Sequence, residues 1–252
     1  MKYDDFMELL MVRRSIRRLK PDPIPDEDVM KILDAAHYSM SGGNSQPWEF
    51  IVVRDPKIRE MLFKAYREEL EIMWALEMQR IARYRHPAFN VPPEDKEKAF
   101  GMLGSWQDAP VCIAVLEDPR KQWGSVLHAR SDLYYNSARD ILGATMGHLS
   151  MLIHLAAASL GLGSERVDVS NEHAFKEILG YPEPLRLNII VPIGYRAYEP
   201  GPPHRLPLEE MIHFDRYDMG KFLQNDDFLK YLDRIRGLGQ PGYRVAIGED
   251  KG

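Results

Sequence analysis

Apolar residues along the chain occur in two patterns, which together predict an alternation of helices and strands. Spacings of three and four predict amphipathic helices, while short apolar runs bounded by turn residues predict strands. Helices are predicted near Phe6–Leu10, from Pro25 onward, from Asp55 to about Tyr84, after Asp95, from Asp132 to Leu160, and at Glu172–Leu179. Strands are predicted at Trp48–Val53, Val111–Leu116 and Leu185–Ile193, with a short extended segment at Ser164–Val169. Strands separated by helices predict an α/β or α+β layer structure.

The longest apolar stretch needs an interpretation of its own. Residues Ile141–Gly163 contain no Asp, Glu, Lys or Arg, over a length that can span a bilayer. The stretch also carries His148 and His154, several small residues and close charged flanks. A helix buried on all sides, in a core or at a subunit interface, fits this composition better than a membrane span. No signal peptide begins the chain, so we expect a cytoplasmic protein without a membrane partner.

Composition and charge narrow the functional classes. The 252 residues carry a net charge of −5, so no overall basic field favours a nucleic acid. The single cysteine, Cys112, excludes an internal disulfide and a cysteine-based metal cluster, and its apolar neighbours indicate a small buried hydrophobe. The histidines show no metal-ligand spacing, and Gly161-x-Gly163 lacks the rest of a dinucleotide-binding motif. A single domain is the simpler organisation.

Arg13–Arg18 concentrates four arginines and a serine within six residues of an acidic protein. Guanidinium groups bind phosphate in a bidentate manner and a serine hydroxyl adds a neutral donor, so one interpretation is an anion site. The other interpretation is a solvated helix end, where cations are also favoured. The cluster alone does not decide between the two.

Two further segments are equally ambiguous when each is taken alone. In Ser41–Trp48, two glycines let the backbone approach a ligand closely, and the amides of Asn44 and Gln46 suit the edge of a heterocycle. The same residues are typical of an ordinary turn. Gly194-Tyr195 ends a predicted strand, and a proline-rich connection carrying Arg205 follows it.

Together and in this order, these segments resemble the nitroreductase family of flavoproteins. The matching features are Arg-Arg-Ser-x-Arg after the first helix, Asn-Ser-Gln-Pro-Trp-x-Phe, Gly-Leu-Gly after the long helix, and Pro-x-Gly-Tyr before a later arginine and Pro-Leu-Glu-Glu. The resemblance covers Phe6–Phe214 and is weakest at Tyr66–Asp108 and Asp118–Arg130. Four motifs in sequence order form a specific signal, although each alone is weak.

The resemblance implies a fold, an assembly and a reaction. The fold is α+β with three layers, α/β/α, around a central mixed but mostly antiparallel sheet. One domain covers residues 1–252, with a variable lid at about 66–108 and a C-terminal extension at about 215–252. The assembly is an intertwined homodimer. The reaction uses FMN to pass hydride from NADH or NADPH to a small electron-poor acceptor, such as a nitroaromatic or a quinone.

The resemblance also assigns residues to the flavin within one subunit. Arg13, Arg14, Ser15 and Arg17 would hold the FMN phosphate and the pyrimidine side of the ring. Arg205 would be a second, later phosphate-binding cation.

Other residues would lie along the ring or reach across the dimer. Ser41 and Asn44, with the backbone near Met40, would contact the flavin of the partner subunit. The strand containing Arg166, Asp168 and Val169 would run past the isoalloxazine, where a backbone N–H near Asp168 would donate to N5. No side chain is expected to act as a chemical catalyst, because the cofactor carries the chemistry.

Two alternatives remain at this stage. One is reductive dehalogenation, as in the iodotyrosine-deiodinase-like subgroup, whose lid presents a Glu, a Tyr and a Lys to a zwitterion. The corresponding residues do not reproduce that spacing and fit a solvated amphipathic helix; they are Glu68, Glu69, Glu77, Arg80, Tyr84 and Lys96. The other alternative is a non-enzymatic flavin-binding protein.

Overall fold

A computed structural model describes residues 2–122, 132–203 and 205–234. The helices are α1 (Tyr3–Val12), α2 (Asp26–His37), α3 (Pro56–Gln79), α4 (Lys96–Leu103), α5 (Asp132–Ser159), α6 (Glu172–Leu179) and α7 (225–234). The strands are β1 (Trp48–Val53), β2 (Val111–Glu117), β3 (Leu162–Ser164), β4 (Val167–Asp168) and β5 (Arg186–Tyr195). Each predicted helix and strand is present. Parts of Asp118–Arg130 and of the C-terminal extension lie outside the described residues.

The strands form one sheet in the order β1-β2-β5-β3, with β4 also pairing with β5. Every one of these pairings is antiparallel, and a register irregularity between Val115 and Leu116 bends the central β2–β5 pair. Isolated parallel bridges join Ser15 to Ser164 and Arg18 to Ser105. The predicted mixed but mostly antiparallel sheet is confirmed.

Side chains along β2 alternate between two apolar clusters, one on each face of the sheet. Cys112, Ala114 and Leu116 pack with α3, α4 and α6, whereas the intervening residues pack with α2 and α5. The predicted three layers are therefore confirmed. Complete burial raises the pKa of Cys112 to about 12, as expected of a small buried hydrophobe.

Helix α5, which is uncharged from Ile141 onward, is buried along one stripe only. Residues Arg139–Ser159 are long and apolar enough to cross a membrane, and half of that window is buried within the chain. Leu142, Met146, Leu149 and Ile153 form the buried stripe, at the spacing of one helical face. The opposite stripe is exposed in the single chain, so the expectation of burial on all sides is not met by one subunit.

Helix α3 ends at Gln79, five residues before the predicted end at Tyr84. The side chain of Arg85 accounts for this ending. Its Nε donates to the carbonyls of Glu77 and Arg80, and its Nη2 donates to the carbonyl of Met78. The guanidinium thereby satisfies carbonyl groups that a helix end leaves without partners.

Candidate functional site

The arginine cluster begins at the C-cap of α1, Arg13, and continues in an extended segment. After α1 the chain runs beside β3, where the N–H of Ile16 donates to the carbonyl of Ser164 at 2.9 Å. Farther along, the N–H of Ser105 donates to the carbonyl of Arg17 at 3.0 Å, and that of Lys20 to the carbonyl of Tyr195 at 2.8 Å. These bonds tie the residues after Arg13 to the sheet, so only the start of the cluster is a helix end.

Two paired glycines allow the arginine segment to lie close against the sheet. Gly163 of β3 lies opposite Gly194 of β5. A Cβ atom on Gly163 would lie 2.9 Å from the side chain of Ile16, and one on Gly194 would lie 2.7 Å from Pro110. Side chains there would displace the segment, so the glycines of two predicted motifs position the arginines.

Arg13, Arg14 and Arg205 come together as a group of like charges. Burial and the charge of Arg205 lower the pKa of Arg13. Burial, Arg205 and Arg13 lower the pKa of Arg14, whose Nη1 also donates to the carbonyl of Gly201. Cations held this close repel one another, so an anion bound between them would relieve the repulsion. The structure thus joins two arginine motifs that lie far apart in the sequence.

Arg17 occupies a different position from the other site arginines. Its Nε lies 3.2 Å from the carbonyl oxygen of Leu103 and 3.3 Å from Oε1 of Glu165. Its backbone N–H donates to the hydroxyl of Tyr198 at 3.3 Å, and that hydroxyl lies 3.4 Å from the carbonyl of Ser15. The guanidinium of Arg18 instead lies over the Tyr198 ring, 5.5 Å from its centroid.

A buried histidine supports the segment from below. His154 of α5 places Nδ1 2.8 Å from Oγ of Ser164, the residue that bridges to Ser15. Burial, with Arg13 and Arg166 nearby, lowers the pKa of His154 to about 4. The ring is therefore neutral near pH 7, which avoids a further cation beneath the arginines.

The predicted ring-facing segment, Arg166–Val169, contains β4 and leads toward α6. Arg166 donates to Oδ1 of Asp168 through Nε and Nη2, at 2.9 and 2.7 Å, and both side chains are exposed. Val169 packs at the edge of the core. The buried carboxylate of Glu69, from α3, accepts hydrogen bonds from the N–H groups of Ser170 and Asn171. Helix α3 thereby fixes the backbone directly after Asp168.

The turn containing Met40, Ser41 and Asn44 lies away from the arginines of the same chain. Gly42 lies against Ile141 near the start of the described face of α5, whereas the arginine segment lies over His154. At about 1.5 Å of rise per residue, these two helix positions are roughly 20 Å apart. The turn is held by Ser41, whose Oγ accepts from the N–H of Gln46, and by left-handed Asn44 and Gln46. One chain does not assemble the complete predicted site.

Sequence reasoning missed the supporting residues of the site. Glu69, His154, Glu165 and Tyr198 orient the predicted contacts, yet only tertiary packing brings them there. The one available signal was a histidine within an uncharged helix. Within the described ranges, no group of three or more His, Cys, Asp or Glu residues is arranged to hold a metal ion.

Comparison with known proteins gives a consistent result. The model of the Nitroreductase family matches residues 10–195. An NADH dehydrogenase of Thermus thermophilus is 30% identical over 216 residues, which cover 79% of this chain and 91% of that protein. Iodotyrosine deiodinase 1 of Rattus norvegicus is 27% identical over 202 residues, covering 77% of this chain and 63% of that protein.

Solved structures share the fold. Nitroreductase A of Vibrio parahaemolyticus superposes with a TM-score of 0.64 at 19% identity, covering 92% of this chain and 83% of that one. The NADPH:FMN oxidoreductase of Vibrio harveyi, complexed with NAD+, gives a TM-score of 0.61 at 19% identity, covering 92% and 85%.

Proposed function

The chain belongs to the nitroreductase family, and on that premise we propose that it is a homodimeric FMN-dependent oxidoreductase. It takes hydride from NADH or NADPH and delivers it to a small electron-poor organic acceptor, such as a nitroaromatic or a quinone. The observation that carries the proposal is the group formed by Arg13, Arg14 and Arg205. Repulsion within such a group favours binding of an anion, and the phosphate of FMN would supply one.

The residues present fit FMN better than FAD. Arg13, Arg14 and Arg205 form one group of cations, as expected for one phosphate, and the sequence lacks a complete dinucleotide-binding motif. Arg13, Arg14 and Arg205 would bind the phosphate. Ser15 and Arg17 would donate to the pyrimidine side of the ring, because Arg17 is held by Leu103 and Glu165, apart from the other three arginines.

The backbone from Arg166 to Val169 would lie along the ring, with an N–H near Asp168 donating toward N5. Glu69 keeps this backbone in place through the two N–H groups that follow it. When bound, FMN supplies the hydride chemistry, and NAD(P)H and the acceptor use the same face in turn. The chain's own contribution is to bind and orient the cofactor and to exclude water.

A second subunit would complete each site. The exposed stripe of α5 carries Ile141, Ala144, Gly147 and Met151, which are apolar or small and suit a close helix–helix contact. An antiparallel contact along α5 would bring the Ile141 end of one helix to the His154 end of the other. Met40, Ser41 and Asn44 would then approach the arginines of the partner. Exposed apolar residues after the sheet would add to this interface; they include Leu208, Met211, Phe214 and Phe222.

The lid region supplies a cavity for the acceptor. A cavity of about 370 Å³ is lined by Met73, Glu77, Arg80, Tyr84, Arg85, His86, Phe89 and Leu103. It adjoins the proposed flavin site through Leu103, whose carbonyl accepts from Arg17. Its aromatic and sulfur-containing walls suit a planar organic molecule.

Reductive dehalogenation is a second candidate, favoured by the deiodinase relatives. The lid carboxylates argue against it. Glu69 is committed to the backbone after Asp168, and Glu77 to Arg80 and the N–H of His86. Lys96 is bonded to Glu71. Recognition of a zwitterion would require these groups to exchange partners.

One experiment separates the candidates. The protein is purified, its flavin is released and identified by chromatography, and its anaerobic reduction by NADH and NADPH is followed. Reoxidation is then measured with a nitroaromatic, a quinone and a halotyrosine. FMN together with rapid reoxidation by the first two supports the proposal. Faster reoxidation by the halotyrosine supports dehalogenation, and reduction without turnover of any acceptor supports a non-enzymatic flavoprotein. Recovery of FAD alone, or of no flavin after reconstitution, overturns the proposed function.

A further inference from the structure

Glu165 places a buried carboxyl group beside a cation of the proposed site. It lies between β3 and β4 and is 3% exposed. Oε1 lies 3.3 Å from Nε of Arg17, and Oε2 has no hydrogen-bond partner among the described residues. A buried carboxyl with one unsatisfied oxygen is unfavourable in either protonation state, and more so when charged. A role in setting the net charge of the Arg17–Glu165 pair accounts for this arrangement.

The groups around Glu165 come from three parts of the chain. Arg17 approaches from the extended segment, Tyr66 from α3, and Tyr198 from the connection after β5. Arg17 is the cation among them, and the two tyrosines are neutral near pH 7. Burial raises the pKa of Glu165 to about 8, while Arg17 opposes the shift. Glu165 is therefore mostly protonated at neutral pH and becomes charged in mildly alkaline solution.

The geometry also fixes how Arg17 is oriented. Its Nε is held between the Leu103 carbonyl and the Glu165 carboxyl. Because the guanidinium is planar and rigid, holding Nε sets the plane of the whole group. The net charge presented by the Arg17–Glu165 pair is then close to +1 when Glu165 is protonated and close to zero when it is ionised.

We propose that Glu165 is a positioning residue that orients Arg17 toward the bound flavin and sets the positive charge that the flavin experiences. This inference rests on the proposed function, since it requires FMN beside Arg17. Two-electron reduction adds negative charge at the pyrimidine side of a flavin, and a nearby cation stabilises that charge. Protonated Glu165 adds no negative charge beside Arg17 and favours the reduced flavin; ionised Glu165 adds one negative charge there and disfavours it.

The test is the midpoint potential of the bound flavin between about pH 6 and about pH 9, in wild type and in Glu165→Gln. The glutamine keeps the shape of a protonated carboxyl but cannot ionise. We expect equal potentials at the acidic end. At the alkaline end we expect the midpoint potential of the wild type to lie about 30 mV below that of the variant. For a two-electron couple, this shift means that the preference for reduced over oxidised FMN is about tenfold weaker in the wild type.

Glu117→Gln is the matched control. Glu117 is another carboxyl whose pKa is raised by burial, and it lies on β2 beside Asn188, away from Arg17. Its variant is expected to follow the wild-type potential over the whole range. A difference that appears equally in both variants would reflect a general effect of removing a buried acid and would overturn the proposal.

The remaining outcomes are also decisive. Equal potentials for wild type and Glu165→Gln at every pH overturn the role of Glu165 while leaving the proposed function intact, and so does an offset that is constant with pH. If wild type binds no FMN, the proposed function itself fails.

If Glu165→Gln does not fold, wild type still decides. The negative charge of FMN bound beside Arg17 should raise the pKa of Glu165 further, so binding above about pH 8 should take up a proton. Calorimetry in two buffers of different ionisation heat measures that uptake, and its absence overturns the proposal.

Discussion

Nδ1 of His154 lies 2.8 Å from Oγ of Ser164, directly beneath the segment that carries the site arginines. The pair joins α5, the helix of the proposed dimer contact, to β3, the strand beside Ser15. Burial keeps this ring neutral, with its pKa lowered to about 4.

The first prediction concerns acid stability. The pKa of His154 is lower in the folded protein than in the unfolded chain, where it is near 6.5. Protonation therefore favours unfolding, and stability is lost as pH falls from 6.5 toward 4. The full loss is on the order of 3 kcal/mol. Denaturant unfolding near pH 7 and near pH 5 should show a smaller acid loss for His154→Gln than for wild type. The exposed His173→Gln variant on α6 should behave as wild type, and equal losses in all three proteins would contradict the prediction.

The second prediction concerns cofactor retention. Arg14→Ala and Arg205→Ala should each remove one charge-assisted contact to the phosphate, at a cost of about 1.5–3 kcal/mol, roughly ten- to a hundredfold in FMN affinity. Both variants should purify pale and regain much of their turnover with excess FMN. Arg18→Ala should stay yellow, because Arg18 lies over Tyr198. Flavin content after gel filtration is the measurement. Variants that keep their flavin but lose hydride transfer would show that these arginines act on the reaction instead.

The third prediction concerns assembly. Met151 lies on the proposed interface stripe of α5 and is 45% exposed in the single chain, and Met61 on α3 is equally exposed at 45%. Met151→Glu should weaken the dimer and lower flavin content, because a carboxylate at an apolar interface loses its hydration. Met61→Glu should do neither. Light scattering gives the mass, and a stable, flavin-bound wild-type monomer would rule out the proposed assembly.

The fourth prediction concerns the backbone after Asp168. Glu69 is 6% exposed, and its Oε1 accepts from the N–H of Ser170 at 3.0 Å. Glu69→Ala should lower the free energy of unfolding by about 3 kcal/mol, since it leaves two N–H groups without their charged acceptor. It should also slow reduction of the flavin by NAD(P)H. The neighbouring exposed Glu68→Ala should change neither quantity. An unfolding free energy unchanged in Glu69→Ala would show that water replaces the carboxylate.

The sequence by itself determined the elements and the family. Local apolar patterns located each helix and strand, because they are properties of the segment itself. One apolar face marks the helix Glu172–Leu179, and a short apolar run marks the strand Trp48–Val53. The order of four motifs indicated the family. Close packing requires glycine at Gly163 and Gly194, and anion binding requires the charges of Arg13 and Arg14.

Only the tertiary structure decided which residues act together. Arg205 joins Arg13, His154 meets Ser164, Glu69 holds the backbone after Asp168, and Glu165 pairs with Arg17. These contacts connect residues on different elements. The apolar pattern of one element does not predict which side chains of another element it will contact. The end of α3 at Gln79 was also decided by tertiary structure, because it depends on the hydrogen bond from the Arg85 side chain to the Glu77 carbonyl. Burial and neighbouring charges shift the pKa of each ionisable group at this site, and both depend on how the layers pack against one another.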